Sequence, residues 1–157
     1  MQGRIFISTG DGDCIGDVVF VVDSSSSIGQ ATWPTSLQCI IDIIKDLKVD
    51  PSRTHVGVVT YSNEVEVSFG LNNYTSLAEI ETAVFEIKYM AGGTNTGDGI
   101  KKMHEVIKKE GRGANVAIPI AIIITDGVTN IIIDATRTIP EAQSARDDGI
   151  QLFAVGM

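Results

Sequence analysis

Apolar positions along this chain alternate between strand-like runs and helix-like periods. Residues 18–22 (VVFVV) form an unbroken apolar run that stops at Asp23, as a buried strand would. Trp33, Leu37, Ile40, Ile44 and Leu47 then recur at three- and four-residue spacing, which predicts a helix over 31–48, with Pro51 helping to end it. A β-branched stretch over 54–61 reads as a second strand. After a Ser62-Asn63 turn, Val65, Val67 and Phe69 alternate with Glu64, Glu66 and Ser68, the pattern of a half-exposed antiparallel edge. Leu77, Ile80, Val84 and Ile87 predict a short helix. Ile100, Met103 and Ile107 predict a longer one, whose other face carries Lys101, Lys102, Lys108 and Lys109 and reads as a solvated surface. Residues 120–125 are a second fully apolar strand with Pro119 at its entrance. A helix over 137–148 ending at Gly149, then a strand over 152–155, complete the series. This order predicts an α/β fold: a doubly wound, Rossmann-like, mostly parallel sheet with one antiparallel edge strand and helices on both faces.

The candidate chemistry sits where the apolar strands stop. Asp23-Ser24-Ser25-Ser26-Ser27 puts one carboxylate and alternate hydroxyls on a tight loop. Gly92-Gly93-Thr94 adds a hydroxyl, and Thr125-Asp126-Gly127 ends the strand over 120–125 at an acid. Asp23, Ser25, Ser27, Thr94 and Asp126 are five oxygen donors with no soft ligand among them, a set suited to Mg²⁺, with Mn²⁺ or Ca²⁺ as alternatives, and less to Zn²⁺. Each segment alone reads as a cap or a turn; the three in order at strand ends do not. An EF-hand is excluded, because a loop starting at Asp23 would need glycine at Ile28 and glutamate at Pro34. Walker, Gly-x-Ser-x-Gly and His-Glu-x-x-His patterns are absent from the sequence. Asp23 as a phosphohydrolase nucleophile lacks an acid–base partner two residues on, where Ser25 stands, so the chain does not read as an enzyme. His55 and His104 read as surface or packing residues.

Asp23-x-Ser25-x-Ser27, Thr94 after a glycine pair and Asp126 in a Thr-Asp-Gly turn together resemble the von Willebrand factor A domain and its metal-ion-dependent adhesion site. The likeness runs from Asp17 to Gly156 through Gly57-Val58-Val59-Thr60-Tyr61-Ser62 and Gly149-Ile150-Gln151-Leu152-Phe153-Ala154-Val155-Gly156. It is strongest to the A domains of matrix proteins such as matrilins and non-fibrillar collagens. The resemblance implies that Ser25 and Ser27 ligate the ion, that Thr94 joins when ligand is bound, and that Asp23 and Asp126 hold it mainly through waters. It also implies capture of a Glu or Asp carboxylate from a protein partner, collagen or another matrix protein, with Trp33, Asn95 and Thr129 on the ligand-binding rim. The expected function is a non-enzymatic, Mg²⁺-dependent adhesion module. An intracellular assembly scaffold of the same family is the alternative. The family fold continues with a further strand and helix, so the chain is expected to be one linker (1–16) and one C-terminally shortened domain (17–157), with apolar surface exposed where that helix would pack.

Bulk properties narrow the partners. A chain of 157 residues fits one domain. With 20 acidic against 12 basic residues the net charge is −8, which opposes nucleic acid and anionic membranes. The first eight residues have too short an apolar stretch for a signal peptide, and no run is long enough to insert in a membrane. Either the protein is intracellular or it is a piece of a longer secreted precursor; the resemblance implies the second, an extracellular location. Asn73-Tyr74-Thr75 is an N-glycosylation acceptor pattern consistent with it. Cys14 precedes the first strand and Cys39 falls in the first helix; the spacing leaves a bond between them open, and free thiols are the expectation.

Overall fold

A computed structural model describes residues 15–126 and 131–157. The elements follow in the order β1 (Gly16–Asp23), α1 (Trp33–Asp46), β2 (His55–Tyr61), β3 (Val65–Phe69), α2 (Leu77–Phe85), α3 (Thr96–Glu110), β4 (Ile118–Thr125), α4 (Ile131–Asp147) and β5 (Gln151–Gly156). They form one sheet of order β3-β2-β1-β4-β5, parallel except for β3. Alternation along the central strands divides the core in two. Val18, Phe20 and Val22 of β1 pack with Ile40, Ile44, Ile80 and Val84 of α1 and α2. Val19 and Val21 face Ile100, Met103 and Ile107 of α3 and Ala145 of α4. A strand covered by helices on both faces must be apolar at every position, which is why β1 and β4 show no polar alternation.

The parallel register sets Asp23 beside Tyr61 and Val22 beside Ile124, so the loops after β1, β2 and β4 emerge together at the carboxyl edge. The opposite edge is closed by Arg112. Its guanidinium donates to Asp17 Oδ1 at 2.7–2.8 Å, to Gly16 O at 2.9 Å and to Arg53 O at 2.7 Å, and its backbone N–H donates to Asp17 Oδ2 at 2.7 Å.

Several expectations are corrected. The alternation of Val65, Val67 and Phe69 does not run through one face. A register shift against Val58/Val59 inserts a bulge, so Val65 packs with the α3/α4 core, Phe69 with the α1/α2 core, and Val67 is exposed. Helix α4 begins at Ile131 and runs through Pro140, so the helix start expected at 137 is moved back. Pro119 lies inside β4, opposite Asp17, one residue after the strand begins. Helix α4 does stop at Gly149, whose φ of 85° lets Ile150 N–H return to Ala145 O at 3.1 Å. His104 is a packing residue on α3, bonded to Asp148 at 2.7 Å. Cys39 is free and half-buried on α1; Cys14 lies outside the described residues. Phe153 on β5 is 36% exposed, and Met157, just after that strand, 41%. No helix among the described residues is long and apolar enough to cross a membrane.

Candidate metal centre

The site is built where β1 runs out. Asp23 is 0% exposed at the last position of the strand, and its Oδ1 accepts the Ser25 N–H at 2.8 Å, folding the chain into a tight turn. That turn brings the Ser25 and Ser27 hydroxyls to 2.9 Å of each other. From the end of β4, Thr125 Oγ1 donates to Asp23 Oδ2 at 3.2 Å. The loop before α3 is zipped onto the same turn: Ala91 N–H donates to Ser24 O at 3.0 Å, Ser26 N–H to Gly92 O at 2.8 Å, and Met90 N–H to Ser24 Oγ at 2.8 Å. Half-buried Thr94 stands in that loop between two anchors, Gly93 N–H to Asn63 Oδ1 at 2.6 Å and Asn95 N–H to Ser62 O at 2.9 Å. A Cβ at Gly92 would come within 2.7 Å of Ser62 Oγ and 3.0 Å of Asn63 Nδ2, so a larger residue there would have to displace those side chains.

The electrostatics are those of a place awaiting positive charge. Burial pushes the Asp23 carboxyl above its ordinary range; hydrogen bonds from Ser25 and Thr125 pull it back in part, and the neighbouring Asp126 charge adds to the rise. Among the described residues no basic side chain pairs with Asp23. A buried carboxylate beside a second one, with three neutral hydroxyls at the same edge, is an oxygen-only donor set that fits a hard divalent cation. Among the described residues no three His, Cys, Asp or Glu side chains converge, so a soft, histidine- or thiolate-rich centre is not formed there.

The rim residues fare differently from the donors. Trp33 is a packing residue beside the site: it is 6% exposed, its indole N–H donates to Ile87 O at 3.1 Å, and its ring packs against Tyr89 at 5.6 Å. Asn95 caps α3, its carboxamide bonded to the N–H and carboxylate of Asp98, and so is committed to the helix rather than to a rim. Thr129 lies outside the described residues. From sequence, Tyr89 has only a place on a loop near the site, and no role of its own. Its hydroxyl donates to Ser25 O at 2.9 Å and accepts from Gly29 N–H at 3.1 Å, bracketing Ser27 from both sides. Contacts across 60 and 64 positions leave no periodic trace in a sequence.

Comparison with known proteins bears on the fold and the family. Residues 17–157 match the sequence model of the von Willebrand factor type A domain. Matrilin-2 of Mus musculus is 35% identical over 146 residues, 90% of this chain and 15% of that protein. Matrilin-1 of Gallus gallus is 32% identical over 152 residues, 96% of this chain and 29% of that protein. The chain thus spans less than a third of the length of these relatives. Among solved structures, proximal thread matrix protein 1 from the mussel byssus, with a zinc-occupied MIDAS motif, superposes with a TM-score of 0.81 at 24% identity, over 92% of this chain and 38% of that one. Manganese-loaded Plasmodium vivax TRAP protein gives 0.80 at 18% identity, over 92% of this chain and 58% of that one. With the family model matched over residues 17–157, the chain belongs to the von Willebrand factor type A domain family.

Proposed function

We propose that this domain is a non-enzymatic, extracellular adhesion module in which Asp23, Ser25, Ser27, Thr94 and Asp126 hold a divalent cation, Mg²⁺ in the first instance. Its partner is a matrix or cell-surface protein presenting a Glu or Asp side chain. The observation that carries the reading is the buried Asp23 carboxylate with no basic partner among the described residues, set at the edge where the hydroxyl pair and Asp126 meet. When bound, the cation supplies a Lewis-acid position for an exogenous carboxylate. With Asp23 and Asp126 held mainly through coordinated waters and only neutral hydroxyls in direct contact, the ion would keep positive charge at its open position, so attraction for an incoming carboxylate would survive. The similarity to matrilins, vitrin and collagen VI chains supports a matrix setting.

Thermal unfolding across a Mg²⁺ titration tests it. At about 100 times the dissociation constant the wild-type midpoint is expected to rise by roughly 5–10 °C, since about 2.7 kcal/mol of linkage shifts a domain of this size by that much. Asp126→Ala should stay flat. No rise in the wild type, with Mn²⁺ and Zn²⁺ also silent, would favour the metal-free scaffold reading. Tyr89→Phe gives a finer check. It removes the hydroxyl that fixes the Ser25–Gly29 turn and should weaken cation affinity about 10–100-fold, as loss of a group that orients metal ligands does. The metal-free fold should lose only about 1 kcal/mol. Calorimetric cation binding equal to wild type would remove Tyr89 from the site.

A further inference from the structure

We propose that Asn73 carries an N-linked oligosaccharide, placed by the fold at the end of the domain remote from the metal loops. Asn73-Tyr74-Thr75 is the only Asn-x-Ser/Thr tripeptide in the sequence. In the structure its three residues divide their roles. Tyr74 is anchored inward, its ring edge-on to Phe69 with centroids 5.3 Å apart, while Asn73 and Thr75 are exposed on either side. The Asn73 backbone N–H donates to Gly70 O at 3.3 Å and its Oδ1 accepts from Gly70 N–H at 2.6 Å, closing a turn. That bond uses the carbonyl oxygen alone; among the described residues Nδ2 has no partner. Glycosyl transfer needs this division. Nδ2 forms a bond to C1 of the first sugar of a lipid-pyrophosphate-linked oligosaccharide and loses a proton as the lipid pyrophosphate departs. Oδ1 remains free to keep the turn, so the modified side chain fits the folded domain unchanged.

The position follows from topology. Strand β3 starts beside Tyr61 at the metal edge and runs away from it, and the turn after β3 meets the far end of α3: Leu71 N–H donates to Glu110 Oε2 at 2.8 Å and the Asn72 carboxamide to Glu110 O at 3.5 Å. Helix α3 begins at the metal loop and has 15 residues, so roughly 20 Å separate Asn73 from the donors. The glycan leaves the adhesion edge open and crowds the outer edge of β3, whose unpaired backbone is a template for unwanted strand pairing.

The inference rests on the extracellular reading above. The full chain is expressed behind a secretion signal in eukaryotic cells as wild type, Thr75→Ser, Thr75→Ala and Asn73→Asp, and lysate and medium are both probed. Wild type and Thr75→Ser are expected to migrate as heavier species that collapse on peptide N-glycosidase treatment, with Asn73 read as Asp by mass spectrometry. Thr75→Ala, which removes no side-chain hydrogen bond, and Asn73→Asp, which retains the Oδ acceptor, should run at the collapsed position with native circular dichroism. Unmodified Asn73 in the wild type from both fractions overturns the proposal. The Mg²⁺-dependent midpoint is measured on the same preparations. A metal response without a glycan removes only this inference, and a glycan without a metal response removes only the adhesion reading.

Discussion

Replacing Arg112 with Met is expected to cost about 3–5 kcal/mol, or roughly 6–20 °C in midpoint, the range for removing one partner of a buried ion pair. Asp17 is 2% exposed at the start of β1, and in the wild type its carboxylate receives the Arg112 Nε, Nη2 and backbone N–H. After the substitution only the backbone bond remains, and a charge is left in the low-dielectric base of the sheet. The same guanidinium holds Gly16 O and Arg53 O, so the change also loosens the connection entering β2. Arg112→Lys should recover only part of the loss, because one ammonium cannot reproduce the planar fork. Adding Asp17→Asn to the Met variant removes the stranded charge and should restore part of the stability. A Met variant within 1 kcal/mol of wild type by urea unfolding would mean that Asp17 is hydrated and the pair is not structural.

Features governed by local pattern were legible in the sequence, and features governed by distant pairing were not. The unbroken apolar runs of β1 and β4 announced strands covered on both faces, and their acidic ends located Asp23 and Asp126, because a parallel sheet delivers such ends to one edge. The Arg112–Asp17 pair joins residues 95 positions apart and Tyr89 reaches back 64, and neither spacing has a periodic signature. The bulge in β3 was hidden for a different reason. Val65, Val67 and Phe69 keep perfect alternation in sequence, while the inserted residue in the ladder turns Phe69 to the opposite core from Val65. The resemblance implied a rim position for Trp33 and Asn95. Their indole N–H and carboxamide are instead spent on holding the Tyr89 loop and capping α3.

Asp23→Asn is expected to act with opposite signs in the absence and presence of Mg²⁺. Without the ion, the wild-type domain holds a fully buried carboxylate whose affinity for a proton is raised, because burial outweighs the bonds from Ser25 and Thr125 and the Asp126 charge adds repulsion. Asparagine keeps the Oδ1 acceptor for the Ser25 N–H and the shape of the side chain while removing the charge, so the metal-free variant should unfold at a higher temperature than wild type. With the ion, the order reverses. The charge that was a liability becomes a source of affinity, and its loss should leave the variant flat across a titration that raises the wild type by roughly 5–10 °C. Asp23→Ala separates the two roles, since it removes the charge and also strands the Ser25 N–H; it should be both flat to metal and less stable than Asp23→Asn without it. The two melting curves of Asp23→Asn and wild type should therefore cross as Mg²⁺ is added. A metal-free Asp23→Asn that melts below wild type would show that the buried charge is already compensated within the fold. A variant that still follows the wild-type titration would remove Asp23 from the set of donors.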